Sequence, residues 1–191
     1  MTNSRTKGHT LERRICADLR RWLGDEWTVQ RNLDDDQTGS RGRAGDVLVS
    51  GPHPWPFAIE CKAGYGLRSS HLWKGTGPLG EQWAQACRQA TAVGLLPMLI
   101  TKPAEHGSPL LAVLPYWVRH HLGLSQPTMR LRLLGQRVIA VRWDLLMARP
   151  PVVVAELVAA RAVHHQALDE AAEDLGSEAM MQAEDAWVRA D

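Results

Sequence analysis

The stretch from Gly45 to Ala63 constrains this chain more than any other. Gly45-Asp46-Val47-Leu48-Val49-Ser50, a turn through Gly51-Pro52-His53-Pro54-Trp55-Pro56, and Phe57-Ala58-Ile59-Glu60-Cys61-Lys62-Ala63 read as two strands joined by a hairpin return. Side chains alternate along a strand, so Glu60 and Lys62 share one face while Ile59 and Cys61 share the other. The return can lay Asp46, at the start of the partner strand, beside Glu60. Two carboxylates at close quarters repel unless a cation sits between them, and an oxygen-only pair suits Mg²⁺ better than zinc. The adjacent lysine fits water activation or charge stabilisation in phosphodiester hydrolysis. A solvated strand face with a weak ion pair could carry the same residues. The apolar flanks, Val47 to Val49 and Phe57 to Ile59, instead mark central strands.

Upstream and downstream segments complete a pattern. Lys7-Gly8-His9-Thr10-Leu11-Glu12-Arg13-Arg14 opens a helix, and Trp27-Thr28-Val29-Gln30-Arg31 follows as a strand. Then come Gly45-Asp46, Ile59-Glu60-Cys61-Lys62, Glu81-Gln82 and the strand Pro97-Met98-Leu99-Ile100-Thr101 ending at Lys102. In order and spacing these motifs, over about residues 5–102, resemble the archaeal-type Holliday junction resolvases, a branch of the PD-(D/E)xK nuclease superfamily. The resemblance implies an α/β fold with a restriction-endonuclease-like core, a mixed central sheet flanked by helices. By position it assigns catalytic roles to Glu12, Asp46, Glu60, Lys62 and Gln82. Asp46 and Glu60, joined by the backbone carbonyl of Cys61, would hold Mg²⁺, with Mn²⁺ able to substitute. Lys62 would position or deprotonate the attacking water, Glu12 would add an outer contact, and Gln82 would orient water or phosphate. The partner implied is branched DNA, and the two-fold symmetry of a four-way junction implies a homodimer. A restriction, repair or phage nuclease acting on linear, nicked or flapped DNA is the alternative on the same fold, and a non-catalytic DNA-binding protein is a further one. Two departures stand out: Gly45 occupies the place where the family often has proline, and the loop between Lys62 and Gln82 is long.

Charge divides the chain. Residues 1–149 hold 20 of the 22 Lys+Arg and 12 of the 21 Asp+Glu, a balance of +8, and residues 150–191 carry −7. A nucleic-acid surface therefore belongs to the first part, a nuclease domain over 1–149 with irregular additions after about 103. Residues 150–191 read as an acidic helical extension, either packed on the core or pairing with a second copy. Cys16, Cys61 and Cys87 are dispersed and read as reduced core residues, neither a disulfide framework nor a zinc site. No apolar run approaches a membrane span, and the N-terminus lacks the apolar block of a signal peptide, which points to the cytoplasm.

Leu11, Ile15, Leu19 and Leu23 recur every four residues, predicting a helix from about Thr10 to Leu23 with Thr10 as cap and Glu12 beside the buried stripe. Arg13, Arg14, Arg20 and Arg21 are expected to face away from it. The loop from Asn32 to Gly45 offers Arg41 and Arg43 among glycines, where backbone can approach phosphate closely. A second loop, Gly64 to Pro78, interleaves Arg68, His71 and Lys74 with Tyr65 and Trp73, which suits phosphates and unstacked bases. Arg41, Arg43, Arg68 and Lys74 are thus the candidate DNA contacts, with solvated loops the alternative. Leu79 to Val93 is the next predicted helix, with Trp83, Ala86, Cys87 and Ala90 packed, and Gln85 and Gln89 expected at the surface. Leu110–Leu114 and Arg137–Arg142 suggest additional strands, and Pro115–His121 a short helix.

Overall fold

The computed structural model describes residues 4–33, 44–63, 66–74, 77–124, 129–151 and 157. The first helix, α1, spans Ser4–Leu23 and so begins six residues before Thr10. Its four-residue stripe is buried as the periodicity requires, Ile15 completely. Strands β1 (Thr28–Arg31), β2 (Val47–Ser50) and β3 (Phe57–Ala63) follow, then helices α2 (Ser69–Lys74) and α3 (Pro78–Ala92), then β4 (Leu96–Lys102). The chain continues with β5 (Leu111–Pro115), α4 (Val118–His121), β6 (Met129–Leu133), β7 (Gln136–Arg142) and α5 (Trp143–Met147).

The seven strands form one sheet in the order β1-β2-β3-β4-β5-β7-β6. Strands β3 and β4 are parallel, with α3 as their crossover, and the remaining neighbours are antiparallel. The result is an α/β, mixed central sheet flanked by helices, the restriction-endonuclease-like core. Leu11, Ile15 and Leu19 of α1 cover one face against Val29, Val47, Ile59 and Ile100. Leu79, Trp83 and Ala86 of α3 cover the other against Leu99, Val113 and Val138. Burial on both faces accounts for the apolar runs Phe57–Ile59 of β3 and Leu96–Ile100 of β4, as parallel pairing demands.

Three features differ from expectation. The segment 64–78 is not all loop: α2 lies in it, with Leu72 buried, and Glu105 tethers its first turn by accepting from the Ser69 N–H (2.8 Å) and Oγ–H (3.3 Å). The described part of residues 103–149 contains β5, β7 and β6, which extend the same sheet. Strand β6 escaped the sequence reading although Met-Arg-Leu-Arg-Leu alternates cleanly; five residues between a turn and a two-residue loop make a short signal. The acidic segment after Pro151 lies outside the described residues except for Leu157, which is wholly buried in the core on the α1 side. Just before it, the Arg149 carbonyl accepts from Trp22 Nε1 (2.6 Å), tying this end of the chain to α1. No helix among the described residues is long and apolar enough to cross a membrane.

Candidate active site

The site is built outward from Gly45. Its φ of +82° is open to glycine but not to proline, whose ring holds φ near −65°. A Cβ there would also stand 2.4 Å from the Ile59 carbonyl oxygen. The departure from the family's proline thus has a physical cause: backbone lies directly on β3. Asp46 N–H donates to that carbonyl (2.7 Å). From the other side Asn32, just past β1, clamps the same peptide: its N–H donates to the Asp46 carbonyl (2.9 Å) and its Nδ2 to the Gly45 carbonyl (3.0 Å). The fixed backbone aims the Asp46 carboxylate at β3, where Oδ2 accepts from the Cys61 N–H (2.7 Å).

Glu60 projects from β3 toward α3 and is almost completely buried. One oxygen, Oε1, accepts from Gln85 Nε2 (2.8 Å) and pairs with Lys62 Nζ. The other, Oε2, is buried with no hydrogen-bond partner among the described residues. A buried carboxylate oxygen without a partner is costly and asks for a cation or a donor. Asp46 carries the same signature: burial, and next the negative charge of Glu60, push its carboxyl from the ordinary 3.8 up to about 7, against the opposing Cys61 N–H bond. Both observations fit a divalent cation shared by the two carboxylates. Among the described residues no group of three His, Cys, Asp or Glu side chains gathers to hold a metal, so backbone and water oxygens would have to complete the coordination.

Glu12 comes to the α1 side of this centre. Its Oε2 accepts from both Arg31 Nε and Nη2 at 2.6 Å, a largely buried pair between α1 and β1. Arg31 is thus its partner, and Glu12 adds repulsion at Asp46. Arg20 does not face away as expected, because its guanidinium caps the Val29 carbonyl (2.6 and 2.9 Å).

Helix α3 supplies a row of glutamines. Gln82 contacts Thr101 Oγ1 on β4 (3.5 Å), and Gln85 one turn later reaches Glu60. Gln89 is buried with Oε1 unpartnered. The surface placement expected for Gln85 and Gln89 is therefore overturned. Positions 82, 85 and 89 are spaced i, i+3 and i+7 on one helix face, and the packing of Leu79, Trp83 and Ala90 turns that face onto the sheet. That spacing, flush with the apolar stripe, was the available signal; Asn32 and Arg31 had none.

Among the candidate DNA contacts, Arg68 is exposed at the start of α2, where its N–H donates to His71 Nδ1 (3.2 Å). Arg41 and Arg43 lie outside the described residues, as does the side chain of Lys74, the last residue of α2. All three cysteines are free. Burial raises each thiol, Cys87 to about 11, which suits inert packing residues.

With acid, acid and lysine assembled on a mixed sheet, comparison with protein families is decisive: residues 3–120 match the phage putative PDDEXK endonuclease family. The chain belongs to it. Comparison with curated proteins and with solved structures returned no match. In this PDDEXK endonuclease Asp46 immediately precedes β2 while Glu60 and Lys62 lie on β3, and the matched span covers every element from α1 through most of α4.

Proposed function

We propose that this protein is a metal-dependent endodeoxyribonuclease whose Mg²⁺ is held by Asp46 and Glu60. The observation that carries this reading is the buried Glu60 carboxylate, one oxygen engaged by Lys62 and Gln85 and the other unpartnered, next to an Asp46 whose proton affinity is abnormally high. The Cys61 carbonyl is the third donor. In a strand the N–H and C=O of one residue point the same way, and Cys61 N–H already points at Asp46. The cation would supply Lewis-acid activation of phosphate and a lowered pKa for water. Lys62, as the ammonium paired with Glu60, would orient that water and stabilise developing negative charge, Gln85 holds Glu60 in place, and the Glu12–Arg31 pair braces α1 against β1.

The substrate proposed is branched DNA, cut by a cytoplasmic homodimer, and the support is the motif order shared with Holliday junction resolvases. The family match favours a second reading, a phage DNA-processing nuclease acting on linear, nicked or flapped DNA. Incubation with Mg²⁺ or Mn²⁺ and a panel of junction, flap, nicked and linear DNA separates them. Paired incisions in the junction support the first, and preference for another form supports the second. Asp46→Asn, Glu60→Gln and Lys62→Ala should each abolish cleavage while circular dichroism and DNA binding persist; near-normal cutting by any two would overturn the site.

A further inference from the structure

The far edge of the sheet carries a second concentration of charge that the cleavage site does not use. Residues 106–143 contain five arginines and no aspartate or glutamate. One of the five, Arg142, is engaged by Asp144. The other four converge. Arg132 and Arg137 are direct cross-strand partners in the β6–β7 ladder, and Arg130 stands two residues along on the same face. Arg132 Nη1 donates to the Gly135 carbonyl (3.2 Å), and the residue is otherwise exposed. Arg119 of α4 lies over the Tyr116 ring at 4.6 Å from its centroid, and Arg130 approaches the same ring at 5.7 Å. Arg119 Nε is buried with no hydrogen-bond partner, and neither Arg119, Arg130 nor Arg132 forms an ion pair with a described carboxylate.

The position is remote from Glu60. Strand β6 is four strands from β3, roughly 20 Å at ordinary strand spacing. Arg130 is paired with Ile139, which packs in the core on the α1 side, whereas Glu60 faces α3. The cluster is therefore on the opposite face of the sheet and is not a continuation of the cleavage groove. Guanidinium groups with an aromatic among them suit phosphate oxygens held in an array, as along a nucleic-acid backbone.

We propose that Arg119 and Arg130 beside Tyr116, with Arg132 and Arg137 farther along the same face of the β6–β7 ladder, form a second DNA contact that grips phosphate backbone away from the scissile bond, such as another arm of a branched substrate. This rests on the reading of the protein as a DNA-processing nuclease. The test compares the full chain with Arg130→Gln/Arg132→Gln and Arg130→Lys/Arg132→Lys, using a fluorescent four-way junction and a short linear duplex in EDTA across a salt series. The Gln pair should lower junction affinity roughly tenfold and reduce the salt slope by about two, the value for two lost phosphate contacts. The Lys pair should restore most of the affinity, and the short duplex should change little. Unchanged junction affinity and slope in the Gln pair would overturn the proposal. Tighter DNA binding with a lowered Tm would also overturn it, assigning the arginines to the chain's own acidic C-terminal residues. Normal, arginine-dependent binding without cleavage of any substrate would sink the nuclease reading and leave this contact standing.

Discussion

At the scale of single residues the candidate site is an electrostatic conflict held by backbone. Asp46 is locked by Asn32, Ile59 and Cys61, so it cannot move away from Glu60 when both are ionised. Its folded pKa, about 7, lies above the ordinary 3.8. The folded state then binds more protons than the unfolded state between those values, and without metal the protein should lose stability as pH rises from about 4 through 7, by a few kcal/mol. A Mg²⁺ held between the two carboxylates, as proposed, would relieve that penalty, so the rise in Tm on adding Mg²⁺ should be larger at pH 8 than at pH 5. Asp46→Asn, which keeps an oxygen for the Cys61 N–H, should flatten the metal-free pH profile and abolish the Mg²⁺ shift. A Tm shift that persists in this variant would place the cation elsewhere. Gln85→Ala removes the one neutral donor to Glu60 among the described residues and should reduce kcat roughly tenfold with little change in DNA affinity; Gln82→Ala, whose side chain meets Thr101 instead, should do less.

At the scale of elements, the strands that carry the site are interior and the β6–β7 hairpin is an accessory at the edge. Its two-residue loop, Leu134-Gly135, has φ of +53° and +82°, the pattern of a type I′ turn. Leucine is poorly suited to the first position, and its side chain is largely exposed. Leu134→Asn should therefore raise stability by about 1 kcal/mol, read as a higher urea midpoint at unchanged slope. An unchanged midpoint would mean that the turn is unstrained. Because the hairpin is four strands from Glu60, cleavage of a short linear duplex should stay at its wild-type rate.

Over the whole molecule, the described residues where the basic part gives way to the acidic one are tied to the core. Trp22 holds the Arg149 carbonyl, and Leu157, beyond the basic part, is wholly buried among residues of α1's side of the core. Leu157→Ala should cost about 2–4 kcal/mol of stability, the price of a fully buried leucine, and truncation after Arg149 should cost at least as much. A truncated chain as stable as the parent would show that the contact is dispensable. Were the C-terminal residues instead the seam of a homodimer, truncation would lower the mass measured by light scattering.

The sequence by itself determined the strands that carry Asp46, Glu60 and Lys62, the amphipathic helix α1, and the apolar β4, since each of these is stated by local periodicity or by a short motif. It did not determine which polar neighbours complete the site. Gln85 sits on Glu60, Arg31 on Glu12 and Asn32 on Asp46 because helix packing and sheet register bring together residues 25, 19 and 13 or 14 positions apart in the chain. The spacing of Gln85 beside the apolar stripe of α3 hints at an inward position, but its partner Glu60 follows only from the packing of Trp83 and Ala86 on the sheet. The same holds for the arginines of β6, β7 and α4, which read singly as solvated charges and become one cluster through the β6–β7 register. Tertiary structure decided these matters because side-chain partnership depends on which faces are buried against each other, and that is a property of the packed sheet rather than of any one segment.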